Sequence, residues 1–218
     1  MSDAAQEKSE HKGNFSELVK YTFTGYLGGL IAAAILDHFG FQKSALGSWL
    51  VRTLSGEGES IFEGIYAFRM RLKKTGGSMA EAYGIGKFLG MVAPWIIDFV
   101  SRLFGVDVSG VAGFYIPFFY AHSDQIGANI AGLIYLRKKE KNFKKALACY
   151  VRDPVMMASL AVILIVPIGL YIARSLGFRP TTQIKAALET IFANICWVPP
   201  LVGWLVERAK KRRNRQSD

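Results

Sequence analysis

Cysteine is almost missing from this 218-residue chain: Cys149 and Cys196 are the only two. That excludes a disulfide scaffold. Acidic residues are scarce beside basic ones, 17 against 27, for a net charge of +10. No period or compositional bias runs along the chain, so it is neither collagen-like nor low-complexity. At 51% hydrophobic residues it is not a disordered chain either. Several chemical signatures are also absent. There is no Gly-x-x-x-x-Gly-Lys-Ser/Thr loop, no His-Glu-x-x-His and no Gly-x-Ser-x-Gly elbow. Gly56-Glu57-Gly58-Glu59-Ser60 is glycine-rich, but its acids repel phosphate. Asp98 and Asp124 lack the Gly-x-Gly-Asp setting of intramembrane proteases. The regularly spaced aspartates of lipid head-group transferases are missing too. No catalytic residue is assigned, and no cofactor or metal is expected.

Charge is also missing from long windows. Residues 154–173 hold no Asp, Glu, Lys, Arg or His over twenty positions. A bilayer core of about 30 Å needs about 20 helical residues at about 1.5 Å each. Asp153 as N-cap and Pro154 at the first helical position make a good start for that helix. Four further windows, 21–36, 81–104, 111–136 and 190–206, follow the same rule less cleanly. A sixth, 44–68, is interrupted by Arg52, Glu57, Glu59 and Glu63. It reads as an amphipathic or re-entrant element, or as a poor span shielded by its neighbours. The expected fold is all-α, a polytopic transmembrane helix bundle of five or six spans.

The cations fall between these windows. Arg69, Arg71, Lys73 and Lys74 form one group, Arg137 to Lys145 a second, and Arg208 to Arg215 a third. Placing all three in the cytoplasm gives a consistent alternation of outward and inward spans. With six crossings both termini are cytoplasmic. Residues 1–17 then form a mobile polar tail, 18–206 a single transmembrane domain and 207–218 a basic tail. The +10 charge reads as the positive-inside bias and as attraction to anionic lipid head groups. Nucleic acid is not an expected partner, because the basic end lacks interleaved aromatics. The absence of a signal peptide and of disulfide pairs fits a prokaryotic plasma membrane.

Small residues recur every four positions at Ala82, Gly86, Gly90 and Pro94, with Asp98 continuing that face. Gly28 with Ala32, Gly29 with Ala33, and Ala128 with Gly132 make further smooth faces. Lipid provides no hydrophobic drive between helices, so such faces let backbones approach. The main use expected for them is packing within the chain, and a homo-oligomer through one of them is a second use.

Ionisable groups at bilayer depth are candidate functional groups. His122, Gln125 and Asn129 share a helix face, with Asp124 about 100° off it. Together with Asn194 they form the expected path for a substrate or ion. The competing reading is interhelical hydrogen bonding that fixes the bundle. Asp98 (paired with Arg102), Glu189 (paired with Lys185) and Glu63 are accessory candidates. Pro199 and Pro200 are expected to break the last span and expose carbonyls at depth. If 44–68 crosses, Glu63 must be paired. Residues 145–213 resemble small bacterial alanine exporters in Tyr150, Pro154-Val155, Gln183-Ile184, Asn194 and Gly203-Trp204 before Arg208. The N-terminal spans and Ala121-His122-Ser123-Asp124-Gln125 depart from that pattern, and no family is assigned on it. The leading functional expectation is a transporter or channel for a small polar solute or ion. A non-catalytic assembly, lipid-binding or complex-subunit protein is the alternative, and an intramembrane lipid-modifying enzyme comes third.

Overall fold

A computed structural model describes residues 15–73, 77–105, 109–177 and 195–216. Among these residues every regular element is helical. Helix α1 is Phe15–His38, followed by a 3-10 turn, Phe41–Lys43. Then come α2 (Ala45–Leu72), α3 (Met79–Leu103), α4 (Ser109–Glu140), α5 (Phe143–Arg152) and α6 (Pro154–Ser175). A second 3-10 turn, Ile195–Trp197, leads into α7 (Val198–Gln216).

Local chemistry sets the boundaries. Ser44 caps α2 through Gly47 N at 3.0 Å, and Asn142 caps α5 through Lys145 N at 3.2 Å. Asp153 Oδ1 accepts from Val155 N at 2.9 Å and Met156 N at 3.0 Å, with Pro154 at the first helical position. The helix start read from Asp153-Pro154 is therefore present, and the chain bends by 78° there. Pro199 and Pro200 lie in the first turn of α7, where a missing N–H costs least. The 44–68 stretch is neither re-entrant nor broken. It lies in one 28-residue helix whose acids are covered by neighbours.

The helices form a closed ring. α1 packs on α2, α2 on α3, α3 on α4, α4 on α6, α6 on α7, and α7 returns to α1. The tightest seams run through small residues. A Cβ added to Gly29 would overlap the Leu54 carbonyl, and one added to Gly90 would overlap the Ser123 carbonyl. The Gly86–Gly90 and Gly29–Ala33 faces thus pack inside the chain. Gly28 instead faces open space.

One end of the ring collects the cations. Tyr21 meets Arg69, Arg71 pairs with Glu81 at 3.4 Å, and Glu207 accepts from Phe15 N at 3.0 Å and Ser16 N at 3.1 Å. The start of α1, the end of α2, the start of α3 and the basic half of α7 therefore share that end. Just inside it lies an apolar layer that includes Leu18, Tyr66, Met70, Tyr83, Val155 and Met156.

Polarity is inverted relative to a water-soluble bundle. Glu59, Glu63, Lys87, Asp124 and Gln125 are buried, whereas Ile31, Phe68, Leu89, Ile96 and Phe99 are exposed. Two helices are long and apolar enough to cross a membrane, Phe15–His38 and Met79–Ser101. A third span results if the bent pair Phe143–Arg152 and Pro154–Leu164 is taken as one. Two or three such helices among the described residues fall short of the five or six expected from the sequence. Two reasons account for this: α2 carries Glu59 and Glu63 into the interior, which lowers its mean hydropathy, and residues 178–194, with the side chains of 109–121 and of most of 165–174, lie outside the described ones.

Candidate functional site

Four consecutive helices of the ring, α1 to α4, build a charged centre one turn below the apolar layer. Glu59 and Glu63, four apart on α2, share a helix face. α3 presents Lys87 to that face. Its ammonium lies 2.5 Å from Glu59 Oε1, 3.4 Å from Glu63 Oε2 and 3.3 Å from Asp124 Oδ2. The Lys87 and Glu63 side chains are fully buried, and Glu59 and Asp124 are nearly so.

Hydroxyls and amides complete this centre. Thr22 Oγ1 donates to Glu63 Oε1 at 2.6 Å, and Ser60 Oγ donates to Asp124 Oδ2 at 3.3 Å. Half-buried Glu57 lies within electrostatic reach of Asp124, Lys87 and Glu59. Glu59 Oε2 is buried and has no hydrogen-bond partner among the described residues. Three buried carboxylates and the half-buried Glu57 thus surround a single ammonium, so acids outnumber the base. Uncompensated buried charge costs several kcal/mol per ion.

A second network adjoins it. Gln125 Oε1 accepts from Tyr83 Oη at 2.9 Å and from Ser159 Oγ at 2.7 Å. Gln125 Nε2 donates to the Cys196 carbonyl at 3.2 Å. That carbonyl is free because residue 200, its helical donor, is a proline without an N–H. The carbonyl just ahead of α7 is thus left to a side chain, and Gln125 answers it; whether the prolines break a longer helix falls on residues 178–194, outside the described ones. Asn129 Nδ2 donates to Ser159 Oγ at 2.7 Å and its Oδ1 accepts from Tyr150 Oη on α5.

The polar patch read from α4 therefore divides. Asp124 joins the charged centre, while Gln125 and Asn129 make interhelical hydrogen bonds to α3, α5, α6 and the 3-10 turn. His122 is buried within electrostatic reach of Asp124. Glu63 is buried inside the bundle and paired with Lys87. Asn194 and Glu189 lie outside the described residues, as do the side chains of Asp98 and Arg102. Sequence reasoning missed the hub. Lys87 reads as a cation near the end of an apolar window, and Glu59 as an interruption of a poor one. The available signal was the four-residue spacing of Glu59 and Glu63 together with a lone lysine among Gly86 and Gly90.

One group of possible metal ligands forms among the described residues: a carboxylate oxygen from each of Glu59 and Asp124 and the Cys196 thiol lie within 4.8 Å of one another. All three residues are buried.

Comparison of the chain with family profiles, with curated proteins and with solved structures finds no match in any of the three.

Proposed function

We propose that the chain is an integral membrane protein of five or six spans that moves a small ion or polar solute across a bilayer, with the Lys87 centre as its binding site. The observation that carries this reading is the inverted polarity: a cluster in which buried carboxylates outnumber a single ammonium sits inside a ring of helices with an apolar exterior. Ionisable groups at such depth are costly to keep, and a transport site is a recurrent reason to keep them. Helix α2 is long enough to cross, since 28 residues at about 1.5 Å each cover more than a bilayer core of about 30 Å. The shared basic end faces the cytoplasm in this reading, beside anionic head groups. The apolar layer with Leu18, Tyr66 and Met156 closes the centre toward that side in the present conformation.

Asp124 is the residue to test, because it faces Lys87 and Ser60 and has a second contact to the Gln125 N–H at 2.6 Å. In proteoliposomes, Asp124→Asn is expected to abolish proton or cation flux while the yield of monodisperse protein stays the same. Unchanged flux with full yield removes Asp124 from the path. Lost flux together with lost yield in Asp124→Asn, Glu63→Gln and Glu59→Gln alike assigns the centre to holding the bundle together.

A further inference from the structure

We infer that the charged centre binds a divalent, thiophilic metal ion through Glu59, Asp124 and Cys196, with Lys87 as the tethered cation that the metal displaces onto Glu63. The inference rests on the transport reading above for its purpose, and on separate observations for its chemistry.

The first is the ligand set. Two carboxylate oxygens and one thiol converge within 4.8 Å, from α2, α4 and the 3-10 turn, with no water-exposed group among them. At bond lengths of about 2.0–2.3 Å the three atoms need to close by about 1 Å, which side-chain adjustment supplies. A thiol beside carboxylates favours zinc or cadmium over magnesium or calcium, which take oxygen alone.

The second is the orphan oxygen. Glu59 is 3% exposed, and while Oε1 meets Lys87, Oε2 has no hydrogen-bond partner among the described residues. A buried carboxylate oxygen without a hydrogen-bond partner has an open position for a cation, and Glu63 Oε2, which lacks a hydrogen bond too, is the one that Lys87 reaches at 3.4 Å.

The third is the placement of Lys87. Its ammonium stands 2.5 Å from Glu59 and 3.3 Å from Asp124, so it holds two of the three ligands in the way a metal would. Its remaining contact, Glu63 Oε2 at 3.4 Å, belongs to no ligand of the trio. Glu63 is itself held in position by Thr22. When a metal takes Glu59 and Asp124, Lys87 retains a buried counter-charge by turning to Glu63, and no charge is left alone. Three protein ligands leave a fourth position open, as suits an ion that must leave again.

The full chain with Cys149→Ser, purified without an affinity tag in detergent, is titrated with cadmium while thiolate-to-cadmium absorbance is recorded. The expected result is saturation at one equivalent and displacement by zinc. Cys196→Ser is expected to abolish the band, and Asp124→Asn to weaken zinc competition about tenfold or more. Glu63→Gln keeps an acceptor for Thr22 but removes the refuge of Lys87, and is expected to weaken binding about tenfold although Glu63 touches no metal. Lys87→Met is expected to tighten it. The inference is overturned by absence of the band in folded protein, or by a band that survives Cys196→Ser. Unchanged affinity in Glu63→Gln overturns the displacement of Lys87, even if Lys87→Met fails to fold. Flux that Asp124→Asn stops, in protein that gives no cadmium band, sinks the metal site and leaves the transport reading standing. A Cys196-dependent band in protein that carries no ion does the reverse.

Discussion

Lys87 decides more at the residue scale than any other position. It has no exposed surface, and three carboxylates face its ammonium. Removing one partner of a buried charge network leaves the others uncompensated, at a cost of about 3–5 kcal/mol. Lys87→Met is therefore expected to lower thermal stability in detergent sharply, and adding Glu59→Gln to recover part of that loss. Additive losses in the double variant would show that the two side chains do not act as a pair. Gln125 is different in kind, being neutral and joined to Tyr83, Ser159 and the Cys196 carbonyl. Gln125→Leu strands several buried polar atoms, each worth about 1–3 kcal/mol. It is expected to reduce stability without the salt sensitivity of a charge variant.

At the scale of elements, backbone proximity separates positions that look alike in sequence. Gly28 and Gly90 both sit in small-residue stripes, but only Gly90 has backbone within reach of a side chain. Gly90→Val is expected to cost about 1–3 kcal/mol or more through overpacking of the α3–α4 seam. Gly28→Val is expected to be nearly neutral, and equal losses at the two sites would contradict the packing described. The start of α1 offers a second test. Glu207 on α7 accepts from the backbone N–H of Phe15 and Ser16 and from Ser16 Oγ at 2.9 Å. Glu207→Ala removes a carboxylate from a helix N-terminus and is expected to destabilise by about 1–2 kcal/mol. Hydrogen exchange at the first turn of α1 reads it out.

At the scale of the whole molecule, the closed ring brings the basic groups at the ends of α2 and α7 to a single end. If the chain lies in a bilayer as proposed, a cysteine placed at Lys139 or Lys210 in a Cys149→Ser, Cys196→Ser background is labelled from the cytoplasmic side only. One placed at Gly40 or Gly105 is labelled from the other side. Labelling of Lys139 and Gly105 from the same side overturns the crossing of α4. Monodisperse behaviour in buffer without detergent overturns the membrane reading as a whole, because Ile31, Leu89 and Phe99 would then face water.

The sequence by itself determined the helical class, the Asp153-Pro154 start, the internal use of the Gly86–Gly90 stripe and the grouping of cations between apolar windows. These follow from spacing along a single helix, from capping chemistry and from local composition, all of which are properties of neighbours in the chain. It also singled out Asp124 and the condition under which Glu63 must be paired. Only the tertiary structure decided that Lys87 is the partner of both, that Gln125 answers a carbonyl freed by Pro200, and that Cys196 stands beside Glu59. Those contacts join residues 24 to 137 positions apart, across helices whose relative rotation no one-dimensional period encodes. A buried charge is legible in sequence as an anomaly, but its counter-charge becomes visible only when the helices are packed.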